Sequence, residues 1–393
     1  MMDTESWLAR ARARESVWRS WRHELHAHPE LAYEEQRTAA FVADRLRSFG
    51  LEPIEGLAGT GVVAVLQGRG GDGPMIALRA DMDALPIPEA NTFAYASREP
   101  GKMHACGHDG HTAMLLAAAE LLAADPAFAG TVVFIFQPAE EGGGGAKRMV
   151  EEGFFERFPV RELYGMHNWP GLPVGQFAVH SGPVMAGTER FRIALRGRGT
   201  HAAMPHLGDD VIAAGAALVQ SLQTVVSRRV DPLQAAVLSV TQFHAGHAFN
   251  VIPAEAELAG TVRAFSPELF SRIREALERI GQGVASAYGL SLDVEWDEGY
   301  PPTINTASAA ARCAEAAVAL VGAQNVCREA LPSMGAEDFA FFLQHRPGAY
   351  VWIGNGPGEG GCLLHSPHYD FNDELLSLGA AYWATLVTHV LSA

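Results

Sequence analysis

Residues 131–145 read TVVFIFQPAEEGGGG, and residues 104–124 read HACGHDGHTAMLLAAAELLAA. The first stretch is a continuous apolar run of strand length, rich in β-branched and aromatic residues. It runs directly into two adjacent glutamates and a glycine tract. Such a run reads as a strand buried on both faces. The second stretch opens on three histidines, a cysteine and an aspartate, and continues into an apolar helix over 112–124. A buried strand and a buried helix, each with a polar cluster at one end, define a layered α/β unit with its chemistry at the element ends.

The same alternation extends outward. VVAVLQG (62–68), MIALRADMDAL (75–85) and LYGMHNW (163–169) read as further strands. Ahead of them, Trp18, Trp21 and Leu25, then Ala39, Val42 and Leu46, recur at three- and four-residue steps. That spacing predicts two helices, separated at His28-Pro29. Between 189 and 298 the order changes to strand, helix, two strands, helix, strand, which is the split βαβ, ferredoxin-like arrangement. The expectation is therefore an α/β domain formed by residues 1–184 and 299–393, interrupted by a small α+β domain at 185–298. No internal repeat or low-complexity segment occurs.

Bulk properties remove several function classes. The 393 residues carry a formal net charge of −16, which disfavours nucleic acid and anionic membrane as partners. The four cysteines, Cys106, Cys313, Cys327 and Cys362, are widely spaced and form no CxxC pair, so reduced thiols are expected rather than a disulfide framework. The first twenty residues show no apolar core of signal-peptide type, and no run approaches the roughly 18 apolar residues that span a bilayer. A soluble, cytoplasmic protein is expected.

The polar clusters carry the chemistry. Glu140 and Glu141 are adjacent, so their side chains diverge. One can ligate a metal ion while the other faces a bound water, the pairing that metal-assisted hydrolysis requires. Cys106 and His108 are two apart and would share a face on extended backbone, where both could grip one ion. Cys106 is also open to two other readings, a nucleophile activated by histidine and a buried bystander. His167 and His365 each sit where an apolar strand turns polar.

Taken together, LRADMDALP, MHACGHDGHTAMLL, FQPAEEGGGGA, GMHNWP, RGTHAAMPH, FNVIP, GTVR and MGAEDF appear in a fixed order that resembles the amidohydrolase branch of the co-catalytic metallo-aminoacylase and carboxypeptidase family. The branch includes hippurate hydrolases, N-acyl amino acid amidohydrolases and indole-3-acetyl-amino acid hydrolases. The resemblance runs from RHELHAHPELAYEE at 22–35 to LLHSPHYDFND at 363–373. It implies a zinc-peptidase-like catalytic domain with a central mixed sheet and an inserted ferredoxin-like lid and dimerisation domain. It also implies two divalent metal ions, with zinc, manganese, cobalt and nickel as candidates.

Cys106 matches the bridging ligand. His108 and His167 would complete one metal site, Glu141 and His365 the other. Glu140 matches the general base that activates the bridging water, and Asp83 an acid that orients a ligand histidine. Asp81 stands where other branches carry a ligand histidine, and His108 is expected to substitute for it. In the inserted domain, His201 matches a residue that reaches the scissile carbonyl, often from a partner subunit. Asn250 and Arg263 match residues near the substrate carboxylate, for which an Arg fork is suited. His104, Asp109 and His111 are expected to be supporting residues. The implied activity is hydrolysis of N-acyl amino acids by a homodimer or homotetramer assembled through the lid. The rivals are a dipeptidase or carboxypeptidase on the same scaffold, and a non-catalytic dimeric binding or scaffold protein.

Overall fold

A computed structural model describes residues 4–357 and 363–392. The chain divides into two compact units. One comprises Met1–Val184, Ile304–Leu331 and Asp338–Ala393, and the other Met185–Thr303 with Pro332–Glu337.

The first unit is built on a mixed sheet. Its strands run in the order Ile54–Leu57, Gly61–Gln67, Thr131–Gln137, Met75–Asp81, Glu162–Pro170, Gly348–Gly356, Phe177–Ala178 and Val326–Cys327. Four central neighbours, from Thr131–Gln137 to Gly348–Gly356, are mutually parallel. Alternation along these strands separates two faces. Val62, Ala64 and Leu66, with Ile76, Leu78 and Ala80, and with Val132, Phe134 and Phe136, join one apolar core. That core is closed by the helices Thr4–Ala27, His108–Ala124, Ala307–Val321 and Leu375–Val390. Residues of the opposite parity include Arg79, Asp81, Gln137 and His167, all buried. The apolar parity holds the sheet together, while the other parity is free to carry polar groups.

The N-terminal helix Thr4–Ala27 ends just before His28-Pro29, and the next helix spans Gln36–Ser48. Trp18, Trp21, Val42, Ala43 and Leu46 from these two helices are buried in the same core. The helix after the histidine-rich stretch is longer than the sequence suggests. It covers His108–Ala124 and is buried on nearly every side, as expected for a core helix that is apolar all round. Its first residue is therefore His108, so Cys106 and His108 do not share an extended strand. Gly107 turns the chain between them at φ +89°. A Cβ at Gly107 would lie 2.3 Å from Asn168 Oδ1 and 2.6 Å from Tyr369 Oη, so glycine is required for both the dihedral and the space.

In the second unit the strands Ala236–Ala245, Glu255–Ala264, Gly187–Arg196 and Ser291–Glu298 form one antiparallel sheet in that order. With the helices Val211–Arg229 and Pro267–Ala287 this is the ferredoxin-like arrangement. Asp210 caps the first helix by accepting from Ile212 and Ala213 N–H, and Ser266 caps the second by accepting from Leu269 N–H. Val211–Arg229 is long and apolar enough on average to pass a bare membrane-span criterion. It nevertheless packs Ala214, Leu218, Leu222 and Val225 into the core of this unit and ends in Arg228-Arg229, as an amphipathic helix does. The unit reaches past residue 298, because Thr188 exchanges backbone hydrogen bonds with Gly299 and Tyr300. It also takes in residues 332–337, where Ser333 O accepts from Ala186 N–H at 2.9 Å.

Gly107→Ala is expected to destabilise the protein. The left-handed conformation costs an alanine about 1–2 kcal/mol and overpacking adds about 1–3 kcal/mol. Calorimetric unfolding of the variant beside the parent checks this.

Candidate metal centre

The parallel strands bring the polar clusters together. In a parallel run all C-terminal ends emerge on one edge of the sheet, where ligand sites of α/β proteins form. Asp81 ends Met75–Asp81 and Asp83 follows it, and Glu140 and Glu141 follow Thr131–Gln137. His167 lies near the end of Glu162–Pro170, and His365 in the segment after Gly348–Gly356. Cys106 and His108 join them from the start of the core helix. The His365 segment is tied to this start by the His365 N–H, which donates to Ala105 O at 2.8 Å.

The donor atoms form two overlapping triads. Cys106, His108 and His167 offer atoms within 4.8 Å of one another, and so do Cys106, Glu141 and His365. Cys106 belongs to both. Its Sγ is 3.4 Å from His167 Nε2, and His365 Nε2 is 3.2 Å from Glu141 Oε1. Cys106, His108 and His167 are buried, whereas His365 is exposed. His108 Nε2 and Glu141 Oε1 lie 4.0 Å apart, each shut off from solvent and without a hydrogen-bond partner among the described residues. Buried polar atoms are rarely left this way unless an ion or water completes them. The donors are imidazole, thiolate and carboxylate, and this set fits two divalent metal ions.

Charge supports the same conclusion. Burial lowers the basicity of His108, but Asp81, Asp83 and Glu141 overcome it and push its pKa up to about 10. The pocket is thus negative enough to hold a cation. Burial, followed by nearby His111, depresses His167, which keeps its ring neutral and its lone pair free. The Cys106 thiol is pushed well up by burial and by Glu141, Glu140 and Asp81. A nucleophilic cysteine needs the opposite environment, whereas a metal ion displaces the thiol proton directly.

A second ring of contacts orients these groups. The Asp83 carboxylate accepts from Glu140 N–H at 3.0 Å and from Glu141 N–H at 2.9 Å, and its Oδ1 lies 3.3 Å from His108 Nδ1. One side chain therefore holds both glutamates and faces a candidate ligand histidine. His167 Nδ1 donates to Asn168 O at 2.6 Å, which directs Nε2 toward Cys106. His111 bonds Asp81 Oδ1 at 2.6 Å through Nδ1, and its Nε2 accepts from Asn168 N–H at 3.0 Å. Asp81 also pairs with Arg79 at 2.7 Å. Burial raises the Asp81 pKa, but His108, His111 and Arg79 reverse this and hold it well below the usual carboxylate range. Asp109 accepts from Arg22 at 3.0 Å and bonds His26 at 2.8 Å. Arg22 reaches Asp370 as well, five residues beyond His365. His104 is buried, both its ring nitrogens lack a hydrogen-bond partner among the described residues, and burial lowers its pKa to about 4.

The turn carrying Glu140 and Glu141 needs this support. Ala139 is held at φ +56°, a left-handed conformation costing a non-glycine residue about 1–2 kcal/mol. Buried carboxylates take its amides in sequence: Glu35 accepts from Ala139 N–H at 2.9 Å, Asp83 from the next two, and Asp338 from Ala146 N–H at 2.8 Å. His365 is also left-handed, at φ +66°. Glu35, Asp338, Arg22, His26 and Asn168 fall within the quoted motifs, but the sequence assigned them no role, because their partners lie far along the chain. Asp83, His111 and Asp109, by contrast, were expected from the sequence as orienting or supporting residues.

The other candidates belong to the second unit. His201 lies on the two-residue strand Thr200–His201, is exposed, and accepts from Ala203 N–H through Nδ1 at 3.0 Å. Asn250 is beside it, with its carbonyl accepting from Ala202 N–H at 2.9 Å. Arg263 is half-buried on Glu255–Ala264 and donates to Met334 O at 3.5 Å. Among the described residues it forms no ion pair. Burial, with Arg190 nearby, lowers its pKa. Cys106, Cys313 and Cys327 are free thiols, while Cys362 lies outside the described residues.

The layered α/β unit, the ferredoxin-like unit and the paired donor triads define a metal-dependent hydrolase of amide bonds. The chain belongs to Peptidase family M20/M25/M40, whose profile matches residues 77–389. It is 42% identical over 373 residues to the N-acetylcysteine deacetylase of Bacillus subtilis, covering 94% of this chain and 96% of that protein. It is 41% identical over 370 residues to the hippurate hydrolase of Campylobacter jejuni, covering 94% and 95%. Among solved structures, the Bacillus subtilis YXEP protein, described as a dinuclear metal-binding peptidase of the M20 family, superposes with a TM-score of 0.87. It is 37% identical, over 97% of this chain and 99% of that one.

Two outcomes follow from this geometry. Cys106→Ser removes a donor common to both triads, so metal content by elemental analysis falls together with activity; full occupancy without activity would restore the nucleophile reading. Asp109→Asn breaks a fully buried pair and costs about 3–5 kcal/mol near neutral pH. Burial raises the Asp109 pKa, but Arg22 and His26 overcome this and hold it far below its unfolded value of 3.8. Its contribution is therefore full above that value and is lost as pH falls below it. Thermal unfolding against pH should show the gap between parent and variant narrowing below about pH 4.

Proposed function

We propose that the chain hydrolyses the amide bond of N-acyl amino acids, releasing a carboxylic acid and an amino acid. The observation that carries this reading is the sharing of Cys106 between two donor triads, with the adjacent pair Glu140 and Glu141 at their edge. The acyl-amino-acid class is what the related deacetylase and hippurate hydrolase have in common. Cys106, His108 and His167 would hold one divalent ion, and Cys106, Glu141 and His365 the second. Thiolate favours zinc, and the mixed N, O and S donors also suit manganese, cobalt or nickel. When bound, such ions polarise a carbonyl and lower the pKa of water.

Glu140 is the general base. Its N–H is anchored on Asp83, and its Oε1 accepts from Asp338 N–H at 3.3 Å. It takes a proton from the attacking water as the carbon–oxygen bond forms. It then gives that proton to the amine nitrogen as the carbon–nitrogen bond breaks. Asp83 acts by orienting His108 and the glutamate turn. In the second unit, His201 donates to the oxygen that gains charge in the transition state. Arg263 and Asn250 receive the substrate carboxylate. The second unit serves as lid and as the contact surface of a homodimer or homotetramer. The free thiols support a reducing, cytoplasmic compartment.

Glu140→Ala is expected to keep the metal content of the parent and to lower kcat by about 10²–10⁴-fold. Steady-state kinetics with elemental analysis checks this, and near-parental turnover would refute the role. A panel of N-acyl amino acids and free-amine dipeptides, run on metal-loaded enzyme, separates the amidohydrolase from a dipeptidase. Faster turnover of dipeptides would overturn the substrate class.

A further inference from the structure

The segment 22–35 lies outside the matched family profile, yet one of its residues reaches the centre of the proposed machinery. Glu35 occupies the N-cap position of the helix Gln36–Ser48, where an acidic side chain ordinarily folds back onto the helix amides. It makes no such bond. The first-turn amides are instead served from upstream: Glu30 accepts from Arg37 N–H at 3.0 Å and from Thr38 N–H at 2.8 Å.

Freed from capping, the Glu35 carboxylate is fully buried and spans to a different part of the fold. Its Oε2 accepts from the Thr60 hydroxyl at 2.6 Å, and its Oε1 from Ala139 N–H at 2.9 Å. Ala139 is the residue immediately before Glu140, and it is held left-handed without being a glycine. The same segment touches the turn again through Tyr33, whose hydroxyl donates to Gly143 O at 2.7 Å. A buried carboxylate is costly to keep in this place for stability alone, since the helix already has its cap.

We propose that Glu35 is a positioning residue for catalysis: by holding Ala139 N–H it locks the left-handed turn that aims the Glu140 carboxylate. It touches no ligand donor atom and acts only through the backbone of the turn. The inference rests on the reading of Glu140 as general base.

The test compares the metal-loaded parent with Glu35→Ala, Glu35→Gln, Glu35→Ala combined with Ala139→Gly, and Glu140→Ala. The readouts are kcat, KM, ions bound per chain and the thermal midpoint. Glu35→Ala is expected to lower kcat by about 10–100-fold, as loss of an orienting partner does elsewhere. KM should stay within about twofold and metal content should be unchanged. Glu35→Gln should recover most of the rate, because its amide oxygen can accept from Ala139 while its NH2 donates to Thr60. Adding Ala139→Gly to Glu35→Ala should recover part of it, because glycine adopts the turn without a Cβ penalty. The proposal is overturned if Glu35→Ala keeps the parental kcat. It is equally overturned if the loss tracks metal content or the thermal midpoint and neither rescue restores rate. Full activity of Glu140→Ala would instead remove the underlying assignment of the base.

Discussion

The structure depends on burying an excess of lone-pair donors in one place. Cys106, His108, His167 and Glu141 are ligand-type groups, and Asp81, Asp83, Asp109 and Asp338 are buried carboxylates around them. In a low-dielectric interior each of these would be costly alone. The fold offsets that cost in three ways. Arg79 and Arg22 supply buried positive charge. Successive backbone amides of the 138–146 turn point at carboxylates. The remaining electron pairs, on His108 and Glu141, are left for cations.

The parallel strands make the concentration possible. Their apolar parity packs in a core shared with five helices, and that packing is indifferent to what stands at their C-terminal ends. The ends can therefore carry aspartate, glutamate and histidine without weakening the sheet. Two of the left-handed non-glycine residues, Ala139 and His365, lie at the site itself, where backbone conformation serves placement of side chains rather than stability. The helix His108–Ala124 has a similar double role. Its body is core, while its first residue is a ligand candidate, and Gly107 lets the chain turn sharply enough for both.

The sequence and the structure differ most informatively around Cys106. Extended backbone would have paired Cys106 with His108 by side-chain alternation. The structure reaches the same pairing through a left-handed glycine and a helix start. The donor types were legible because coordinating residues are rare in apolar surroundings, and the motif spacing is local. Among the orienting residues, Asp83, Asp109 and His111 were legible in the same way, but the more distant ones were not. Glu35 stands where a helix cap is expected, and Arg22 reads as one more charge on an amphipathic helix. Their partners, Ala139 and Asp109, lie roughly a hundred residues away or close to it. Asp338 reads as part of a loop, yet it anchors Arg79, Gln137 and Ala146.

By itself, the sequence determined the two architectures, the family and the set of candidate ligands. Those follow from short-range patterns of polarity and from motif order, which survive without knowledge of the fold. Only the tertiary structure decided that Cys106 is common to two triads, that Asp83 holds both glutamates, and that an N-terminal carboxylate secures the turn before Glu140. Those facts depend on distances between atoms remote in sequence, and such distances are set by how strands and helices pack.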